Sequence, residues 1–336
     1  MKNVITIKDV AAKANVSIST VSYVINNKQK TGEEVRQRVM NAIDELGYHP
    51  NRAARNLVSN RSDQIGLYAT DLKFLKSSIL FSELASSILE EIADTKYNLV
   101  IKASEDQNGF WTAHPSSEVD GAILLCPTGD EEFSHRILSS NVPIVLIGRP
   151  EKNAELINFV DNDNVSISYQ MTKYLLQLGH TRVCLLAGPE NYTVSMDRMR
   201  GYGMALGEER IEVSSKYIWF SRYGLENDLA YVRDVIKNEG ITAILAADDT
   251  LAVSAVNTIF SSGLSVPNDV SVVCLSETYF SQFYRPKITG AYPETVKLGK
   301  MAARKLIDLI DKRLIRPSHS IVEYTLNMRE SCAKAK

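Results

Sequence analysis

Small polar side chains and one tyrosine share a face of a short helix predicted near the amino terminus. The helix follows Ser17, a residue favoured at helix starts, and buries Val21 and Val24. Its opposite face presents Ile18, Ser19, Ser22 and Tyr23. Hydroxyl groups of this kind can bond to base edges and phosphates in the major groove of a duplex. This face therefore offers recognition of nucleic acid, although a random helical surface could carry the same residues by chance.

Residues that could support catalysis or bind a metal show no pattern typical of either. The sequence contains no P-loop, no GxSxG and no HExxH motif, and no GxGxxG follows a predicted strand. Its five histidines are scattered without ligand spacing, and its four cysteines show no CxxC. We predict no catalytic residue, no metal and no cofactor. A doubly wound enzyme is the rival class, because such folds often carry catalysis.

The helix that carries the polar face is the second of three predicted in the first fifty residues. The first begins at Thr6, and the third runs from about Gly32 to Leu46. A tight turn around Asn15 joins the first two helices, and asparagine tolerates the left-handed backbone that such a turn needs. This arrangement is a helix-turn-helix, whose second helix lies in the major groove. The first sixty residues carry nine Lys and Arg against five Asp and Glu, which fits a solvated surface equally well.

From Ile65 the sequence alternates apolar, β-rich runs with helical segments. Runs such as GAILLC and PIVLIG are typical of buried parallel strands, and the pattern repeats in a second block. The predicted class is therefore α/β, with a three-helix head followed by two doubly wound parallel-sheet lobes. Between them, residues 52–59 are Ala-rich, able to become helical but too short to persist alone.

The chain resembles the LacI/GalR family of repressors over nearly its whole length. The resemblance begins with TIKDVAAKANVSISTVSYVINN and continues through VDGAILL, VPIVLIGR, VDNDN, LLQLGHTRV, DRMRGY, AADDTLAVSA and KLGKMAARKL in the order of the family. It implies a homodimeric repressor that binds double-stranded operator DNA. It also implies a hinge helix, and lobes of the periplasmic-binding-protein-like type that bind a small-molecule effector.

With this resemblance, three domains are predicted. The head covers residues 1–50, the hinge helix and linker 51–62, and the effector-binding and dimerisation domain 63–336. The first lobe is predicted at about 63–161 and 292–320, and the second at about 162–291 and 321–331. The chain should therefore cross between the lobes three times, the last time near Ile321.

The resemblance assigns DNA contacts to the head and the hinge helix. They are Thr6, Ser17, Ile18, Ser19, Thr20, Ser22, Tyr23, Asn26, Asn51, Arg52, Ala54, Arg55 and Leu57. Leu57 holds the position of a wedge that opens a base step, or else it is an ordinary apolar residue of an amphipathic helix. Many members of the family carry Arg where this chain has Tyr23, so the operator sequence does not follow from the resemblance.

Effector contacts are assigned to Phe74, Asp161, Arg198, Trp219, Asp248 and Ser276. Carboxylates and a guanidinium suit a polyol, so a sugar or sugar derivative is expected. Sugar-responsive members commonly have Asp where this chain has Ser276, and Glu277 could substitute if the loop shifts. Helix capping is the alternative for Asp248 and the preferred interpretation for Asp249. Packing is the alternative for the aromatic side chains Phe74, Trp219, Phe220 and Tyr279.

The effector could be an inducer that weakens DNA binding or a corepressor that strengthens it. A regulator of the same family that depends on a corepressor or a phosphocarrier protein and has a non-sugar effector is the alternative. A chain of 336 residues with a net charge of −2 and no apolar leader or membrane-spanning run is expected in the cytoplasm, without a membrane partner. A solute-binding protein for uptake would need an export signal and would have no use for the head. Residues 330–336 are too short for a heptad extension, which favours a dimer over a tetramer.

Overall fold

The computed structural model describes residues 5–25, 31–48, 61–69, 75, 78–103, 118–221, 230–314 and 316–336. The chain divides into two compact units, Met1–Ser62 and Asp63–Lys336. The described part of the first unit is helical, whereas the second combines helices with two sheets.

Three helices form the described part of the first unit around one small apolar cluster. They are α1 (Ile7–Ala14), α2 (Ile18–Ile25) and α3 (Glu33–Leu46). The chain turns between α1 and α2 because Asn15 adopts the left-handed conformation, with φ 50° and ψ 52°. Gly47 ends α3 in the same conformation. Val10, Val21 and Val39 are fully buried in the cluster, so each helix packs one face inward. The predicted helix-turn-helix is confirmed.

Two six-stranded sheets form the centres of two lobes in the second unit. The first sheet contains β1 (Gln64–Ala69), β2 (Asn98–Ala103), β3 (Gly121–Leu125), β4 (Ile144–Ile147), β5 (Phe159–Asn162) and β11 (His319–Val322). The second contains β6 (Val183–Ala187), β7 (Ile218–Phe220), β8 (Ala243–Ala246), β9 (Ser271–Cys274), β10 (Thr289–Tyr292) and β12 (Thr325–Asn327). Their orders are β11-β5-β4-β3-β1-β2 and β12-β10-β9-β8-β6-β7.

All pairings are parallel except that of β12 with β10, which is antiparallel. Parallel strands need crossover connections, and α-helices lie in most of the connections that the structure describes. The helices of the first lobe are α4 (Ile79–Ile92), α5 (Glu131–Leu138) and α10 (Thr295–Ile310), and those of the second are α6 (Asn164–Gln177), α7 (Thr193–Glu208), α8 (Ala230–Glu239) and α9 (Asp249–Ser261). The predicted α/β class is confirmed.

Apolar residues of helices and strands form a separate core in each lobe. In the first, Ile88 of α4 and Leu306 of α10 pack on Leu67 and Ile123 of the sheet. The continuous apolar runs seen in the sequence are therefore strands covered on both faces. No helix in the described parts of the chain is long and apolar enough to cross a membrane.

The chain passes between the two sheets three times. It leaves the first sheet after Asn162 at the end of β5, returns after Tyr292 at the end of β10, and leaves again after Val322 at the end of β11. The edge strand β11 pairs with β5 along its whole length, so Ile321 lies within the first sheet. These crossings bring the carboxyl ends of both sets of parallel strands to one crevice, where such sheets commonly bind ligands.

Candidate functional site

The face of α2 that the sequence assigns to DNA is exposed in the first unit. Ile18 is 45% exposed and Tyr23 41%, although both side chains are large. Ser17 caps the helix: its Oγ accepts a hydrogen bond from the amide of Thr20 at 3.1 Å. The same oxygen lies 2.7 Å from the hydroxyl of Ser19 and 2.8 Å from that of Thr20. These hydroxyls therefore cluster at a helix amino terminus, which favours a phosphate.

The remaining predicted DNA contacts divide between the edge of this face and the undescribed residues. Thr6 is exposed, and both its amide and its hydroxyl donate to the carboxylate of Asp9 at 2.7 Å. These bonds hold the pKa of Asp9 below its ordinary value. Ser22 is half-buried beside the exposed Tyr23. The contacts that lie outside the described residues are Asn26, Asn51, Arg52, Ala54, Arg55 and Leu57.

In the second unit, a cleft lies between the lobes. Four of the predicted effector contacts line it, namely Asp161, Arg198, Asp248 and Ser276. They come from β5, α7, the start of α9 and the loop after β9, so the fold brings together residues up to 115 positions apart in the sequence. A fifth, Phe74, lies outside the described residues.

Asp161 occupies the end of β5 at the first crossing, and three N–H groups bind its carboxylate. Oδ2 accepts from the amide of Arg149 at 2.9 Å, and Oδ1 accepts from the amide of Asn162 at 2.8 Å and the side chain of Asn164 at 3.0 Å. Burial raises the pKa of Asp161 to about 7 against these hydrogen bonds. One lone pair of Oδ2 stays available, so this oxygen can accept one further hydrogen bond.

Arg198 is a buried cation on the second turn of α7, with only 5% of its surface exposed. Its Nε has no hydrogen-bond partner among the described residues. The helix is held tightly against α6: Ser168 Oγ donates to the carbonyl of Arg198 at 2.6 Å, and a Cβ on Gly201 would lie 2.1 Å from the carbonyl oxygen of Val165. The backbone that carries Arg198 is therefore fixed, and the side chain lines the cleft with its buried Nε donor unpaired among the described residues.

Two neighbouring carboxylates at the start of α9 have different partners. Asp248 caps the helix, since it accepts from the amide of Leu251 at 2.9 Å, and it also lines the cleft. Burial raises its pKa, opposed by that amide and by Arg198. Asp249 is not the cap, so the preferred interpretation of its role is wrong. Its carboxylate accepts from the amide of Thr278 at 2.8 Å and from the hydroxyls of Thr278 and Ser281, which fixes the loop after β9.

The loop after β9 sends adjacent side chains in different directions. Ser276 lines the cleft, but Glu277 does not. Glu277 is 1% exposed and forms an ion pair with Arg329, whose Nη2 lies 3.0 Å from Oε1, and it also accepts from Asn327. The hypothesis that Glu277 replaces the missing aspartate is therefore wrong, because its carboxylate is already committed to the carboxyl-terminal segment.

The three aromatic candidates within the described residues, Trp219, Phe220 and Tyr279, do not line the cleft. Trp219 lies on the edge strand β7 and stacks on Tyr231, with ring centroids 6.2 Å apart. Phe220 packs against the apolar core of the second lobe. Tyr279 is half-exposed and contacts Phe280 and Phe283. For these three side chains the structure supports the packing alternative.

Comparisons with known proteins agree with this architecture. A family model described as bacterial regulatory proteins, lacI family, matches residues 6–51, and a periplasmic binding protein-like domain matches residues 172–332. The probable HTH-type transcriptional repressor ExuR of Bacillus subtilis (strain 168) is 30% identical over 310 residues, covering 92% of both chains. The HTH-type transcriptional regulator CelR of Thermobifida fusca is 29% identical, covering 97% of this chain and 98% of CelR.

The chain belongs to the LacI family.

Solved structures of LacI-family proteins share its fold. The lac repressor dimer bound to operator and the anti-inducer ONPF superposes with a TM-score of 0.84 at 25% identity, covering 98% of this chain and 99% of the repressor. A complex of the regulator CelR with cellobiose superposes with a TM-score of 0.73 at 27% identity, covering 97% and 99%.

In this LacI-family chain the cleft has an apolar wall and a polar wall. The apolar wall is mostly from the first lobe and includes Leu80, Leu84, Leu125, Cys126, Pro127, Ile147 and Leu298, with Val194 from α7. The polar wall includes Asp161 at the end of β5, together with Asn164, Arg198, Asp248 and Ser276 from the second lobe. Sequence reasoning missed the apolar wall, because leucine and isoleucine in such runs are typical of a core. A usable signal was Cys126, since a residue directly after a parallel strand faces the crevice.

The lobes of the LacI-family chain also touch each other beside the cleft. Thr128 of the first lobe and Tyr192 of the second form an isolated antiparallel bridge. Hydrogen bonds flank it, from the amide of Gly129 to the carbonyl of Asn191 at 2.9 Å and from the amide of Thr193 to that of Pro127 at 3.1 Å.

Ion pairs cross between the same two lobes. Arg149 of the first lobe donates through Nη2 to both carboxylate oxygens of Asp197 on α7, at 2.8 and 3.1 Å. Arg200 of α7 binds Asp197 at 2.8 Å and Glu151 of the first lobe at 3.1 Å. Burial raises the pKa of Asp197, and the two arginines oppose this shift. No local pattern in the sequence pointed to the two ion pairs between the lobes, because their partners are 48 and 49 positions apart.

Proposed function

We propose that this chain is a homodimeric, sequence-specific transcriptional repressor whose affinity for operator DNA is controlled by a small molecule bound in the cleft. One observation carries the proposal: a buried guanidinium with unused donors, that of Arg198, lines a cleft in a chain whose other unit exposes a recognition helix. Burying an unpaired charge is costly, so such a group persists where a ligand satisfies it.

The DNA part of the proposal rests on α2. Its exposed Ile18 and Tyr23 and its clustered hydroxyls have no role in the apolar core of the head. A dimer would present two such helices, so the preferred site is a palindrome with half-sites about one helical turn, or a multiple of it, apart. In that arrangement the hinge residues 51–59, including Leu57, would enter the minor groove between the half-sites.

Selection from random duplexes tests this part, followed by fluorescence anisotropy of the selected site at several salt concentrations. We expect a palindromic consensus and an affinity that falls linearly with the logarithm of the salt concentration. Tyr23→Ala should weaken the selected site relative to random duplex. Met40→Ala, a side chain of α3 that is also 41% exposed, is the matched control. The absence of any preference over random duplex would contradict the proposal.

The effector part rests on the chemistry of the polar wall. Arg198 needs acceptors, whereas Asp161 and Asp248 accept hydrogen bonds from hydroxyl groups. A polyhydroxylated ligand provides both, so a sugar or sugar derivative fits best. Ligand and DNA would then act on one equilibrium, each changing the affinity for the other by the same factor.

A thermal-shift screen of sugars, sugar phosphates and nucleosides tests the effector part. A ligand at 100 times its Kd stabilises the folded chain by about 2.7 kcal/mol. The hit is then added to the DNA assay: an inducer lowers the affinity for the selected duplex, whereas a corepressor raises it. Arg198→Met should reduce this stabilisation to about a third.

A non-sugar effector is the second candidate, and Ser276 favours it. A carboxylate at this position would accept two hydroxyls, but a serine offers one oxygen and can also donate. The apolar wall opposite further suits a ligand with an apolar part. Hits confined to nucleosides or other non-sugar metabolites in the same screen would support this candidate over a sugar.

A further inference from the structure

Arg149 links the effector cleft to the contact between the lobes. Its backbone amide donates to Asp161 Oδ2 at 2.9 Å, which fixes one oxygen of the carboxylate in the cleft. Its side chain reaches the other lobe, where it binds both oxygens of Asp197. The two contacts belong to one residue, so a displacement of the side chain moves the donor that orients Asp161.

Asp197 is committed to this network. It is 3% exposed, and its carboxylate accepts from Arg149 and Arg200. Arg200 continues the chain of charges to Glu151, back on the first lobe. Two cations and two anions therefore alternate across the boundary, and each inner charge has a partner from the opposite lobe. Separating the lobes would leave the buried Asp197 without Arg149, which is unfavourable.

The backbone bridge beside the network is too small to hold the lobes alone. It consists of two hydrogen bonds around Thr128 and Tyr192, and each such bond contributes about 1 kcal/mol net. Gly129 brings the loops close, because a Cβ there would lie 2.9 Å from Met196 Sδ. The ion pairs add to this bridge and to the hydrogen bond from the amide of Tyr279 to Glu83 Oε1 at 3.3 Å, and Arg149 of the ion pairs also binds the cleft residue Asp161.

We propose that Arg149 is a positioning residue of the effector site: through Asp197 it holds the lobes closed, and through its amide it orients Asp161. This inference rests on the proposed effector cleft and adds a regulatory role for a residue outside the cleft lining. Loss of the side chain opens the cleft and displaces the amide that orients Asp161, although that side chain does not line the cleft.

The alkylation rate of Cys126 measures closure without requiring an effector or DNA. Cys126 lines the cleft, and burial raises its pKa to about 12, so iodoacetamide should modify it slowly in the closed state. Cys332 is also partly buried but lies in the carboxyl-terminal segment, so it reports general loosening. Mass spectrometry of the full-length chain quantifies both sites.

We expect Arg149→Met and Asp197→Asn each to accelerate alkylation of Cys126 at least five-fold, with Cys332 unchanged. The double variant should match Asp197→Asn, because that substitution already removes the ion pair with Arg149. Arg149→Lys should stay within two-fold of the wild type, since Arg149 uses a single nitrogen that an ammonium can replace. Arg313→Met removes an exposed ion pair with Asp308 inside one lobe and is the matched control.

A second readout is the pKa of Asp161, followed by carboxyl ¹³C NMR with Asp161→Asn for assignment. Opening in Arg149→Met exposes the carboxylate and lowers this pKa from about 7, whereas losing a nearby cation in a closed cleft raises it. A raised pKa, or an unchanged Cys126 rate in folded variants, would overturn the inference. Equal acceleration of Cys332 would overturn it as well. A failed DNA selection would leave these results intact and contradict only the proposed function.

Discussion

Two regions of the second lobe differ in whether their buried polar groups are hydrogen-bonded. One is the cleft, and the other, called the seat, is the place where the carboxyl-terminal segment, residues 327–336, packs on the lobe. At the cleft end of the second sheet, Arg198 Nε, Ser195 Oγ and Ser221 Oγ are buried without hydrogen-bond partners among the described residues. At the seat, Ser331 Oγ donates to the carbonyl of Val272 at 2.6 Å and accepts from the amide of Thr289 at 2.8 Å.

The seat also satisfies an imidazole and a carboxylate. His180 bonds through both ring nitrogens, to Thr242 at 3.0 Å and to the carbonyl of Ala333 at 2.9 Å, and Glu277 is paired with Arg329. Buried polar groups in native structures are nearly always satisfied, so the exceptions require a reason. The contrast teaches that the polar groups at the seat are satisfied within the chain, whereas Arg198, which lines the cleft, keeps a donor available for the ligand proposed there.

The largest expected effect on stability comes from removing Arg329, the arginine paired with Glu277. Arg329→Met leaves the carboxylate of Glu277, 1% exposed, without its cation. Removing one partner of a buried ion pair costs about 3 to 5 kcal/mol. Urea unfolding should show that loss, whereas Arg313→Met, at an exposed ion pair, should cost less than about 1 kcal/mol. A loss below that control would show that the seat is not a structural site.

Removing Arg198 should have a smaller effect on stability. Arg198→Met removes a buried cation whose Nε has no hydrogen-bond partner among the described residues but whose charge favours the ionised form of Asp248, so the free energy of unfolding of the ligand-free chain should fall less than in Arg329→Met. The same variant should bind the strongest hit of the thermal-shift screen about 30-fold more weakly, since a charged hydrogen bond contributes about 2 kcal/mol. Destabilisation equal to that of Arg329→Met would remove the distinction between the two regions.

Sequence reasoning reached the fold and the polar wall because both have local signals. Apolar runs marked the strands, and Asp161, Asp248 and Ser276 each lie at or directly after the end of a strand. Glu277 and Asp249 were misjudged, because their partners Arg329 and Thr278 are 52 and 29 positions away.

Of the adjacent residues Ser276 and Glu277, the first lines the cleft and the second is buried away from it. The sequence does not indicate which side chain of such a loop points to the cleft. The pairing of Arg149 with Asp197 had no local signal for the same reason: it depends on how closely two separately folded lobes approach.

The cleft should also differ from the seat in its response to pH. The folded pKa of Asp161 is raised by burial from 3.8 to about 7, so between these values the folded state binds a proton that the unfolded state does not. Its contribution to stability is therefore present at low pH and lost as the pH rises through 7. The free energy of unfolding of the wild type minus that of Asp161→Asn should increase as the pH falls from 8 to 5. Asp163→Asn, at an exposed helix cap, should show no such trend.

At the seat the sign is reversed. Burial lowers the pKa of His180 in the folded state below 6.5. Between pH 6.5 and that lower pKa, the unfolded state binds a proton that the folded state does not bind. This contribution is present above pH 6.5 and lost as the pH falls towards the folded pKa. Urea unfolding of His180→Gln between pH 5 and 7.5 should lack this loss, whatever its absolute stability. A slope identical to that of the wild type would show that the imidazole does not titrate differently on folding.

The smallest effect is expected at a side chain that the resemblance assigned to the effector. Trp219 packs on Tyr231 at the edge of the second sheet and does not line the cleft. Trp219→Phe preserves an aromatic ring in that contact, so affinity for the screening hit should change less than two-fold. Val194→Ala removes apolar area from the cleft lining and should weaken binding several-fold, because each buried methylene contributes about 0.8 kcal/mol. Calorimetric titration separates the two, and a larger loss in Trp219→Phe would place the ligand beyond the cleft lining, against β7.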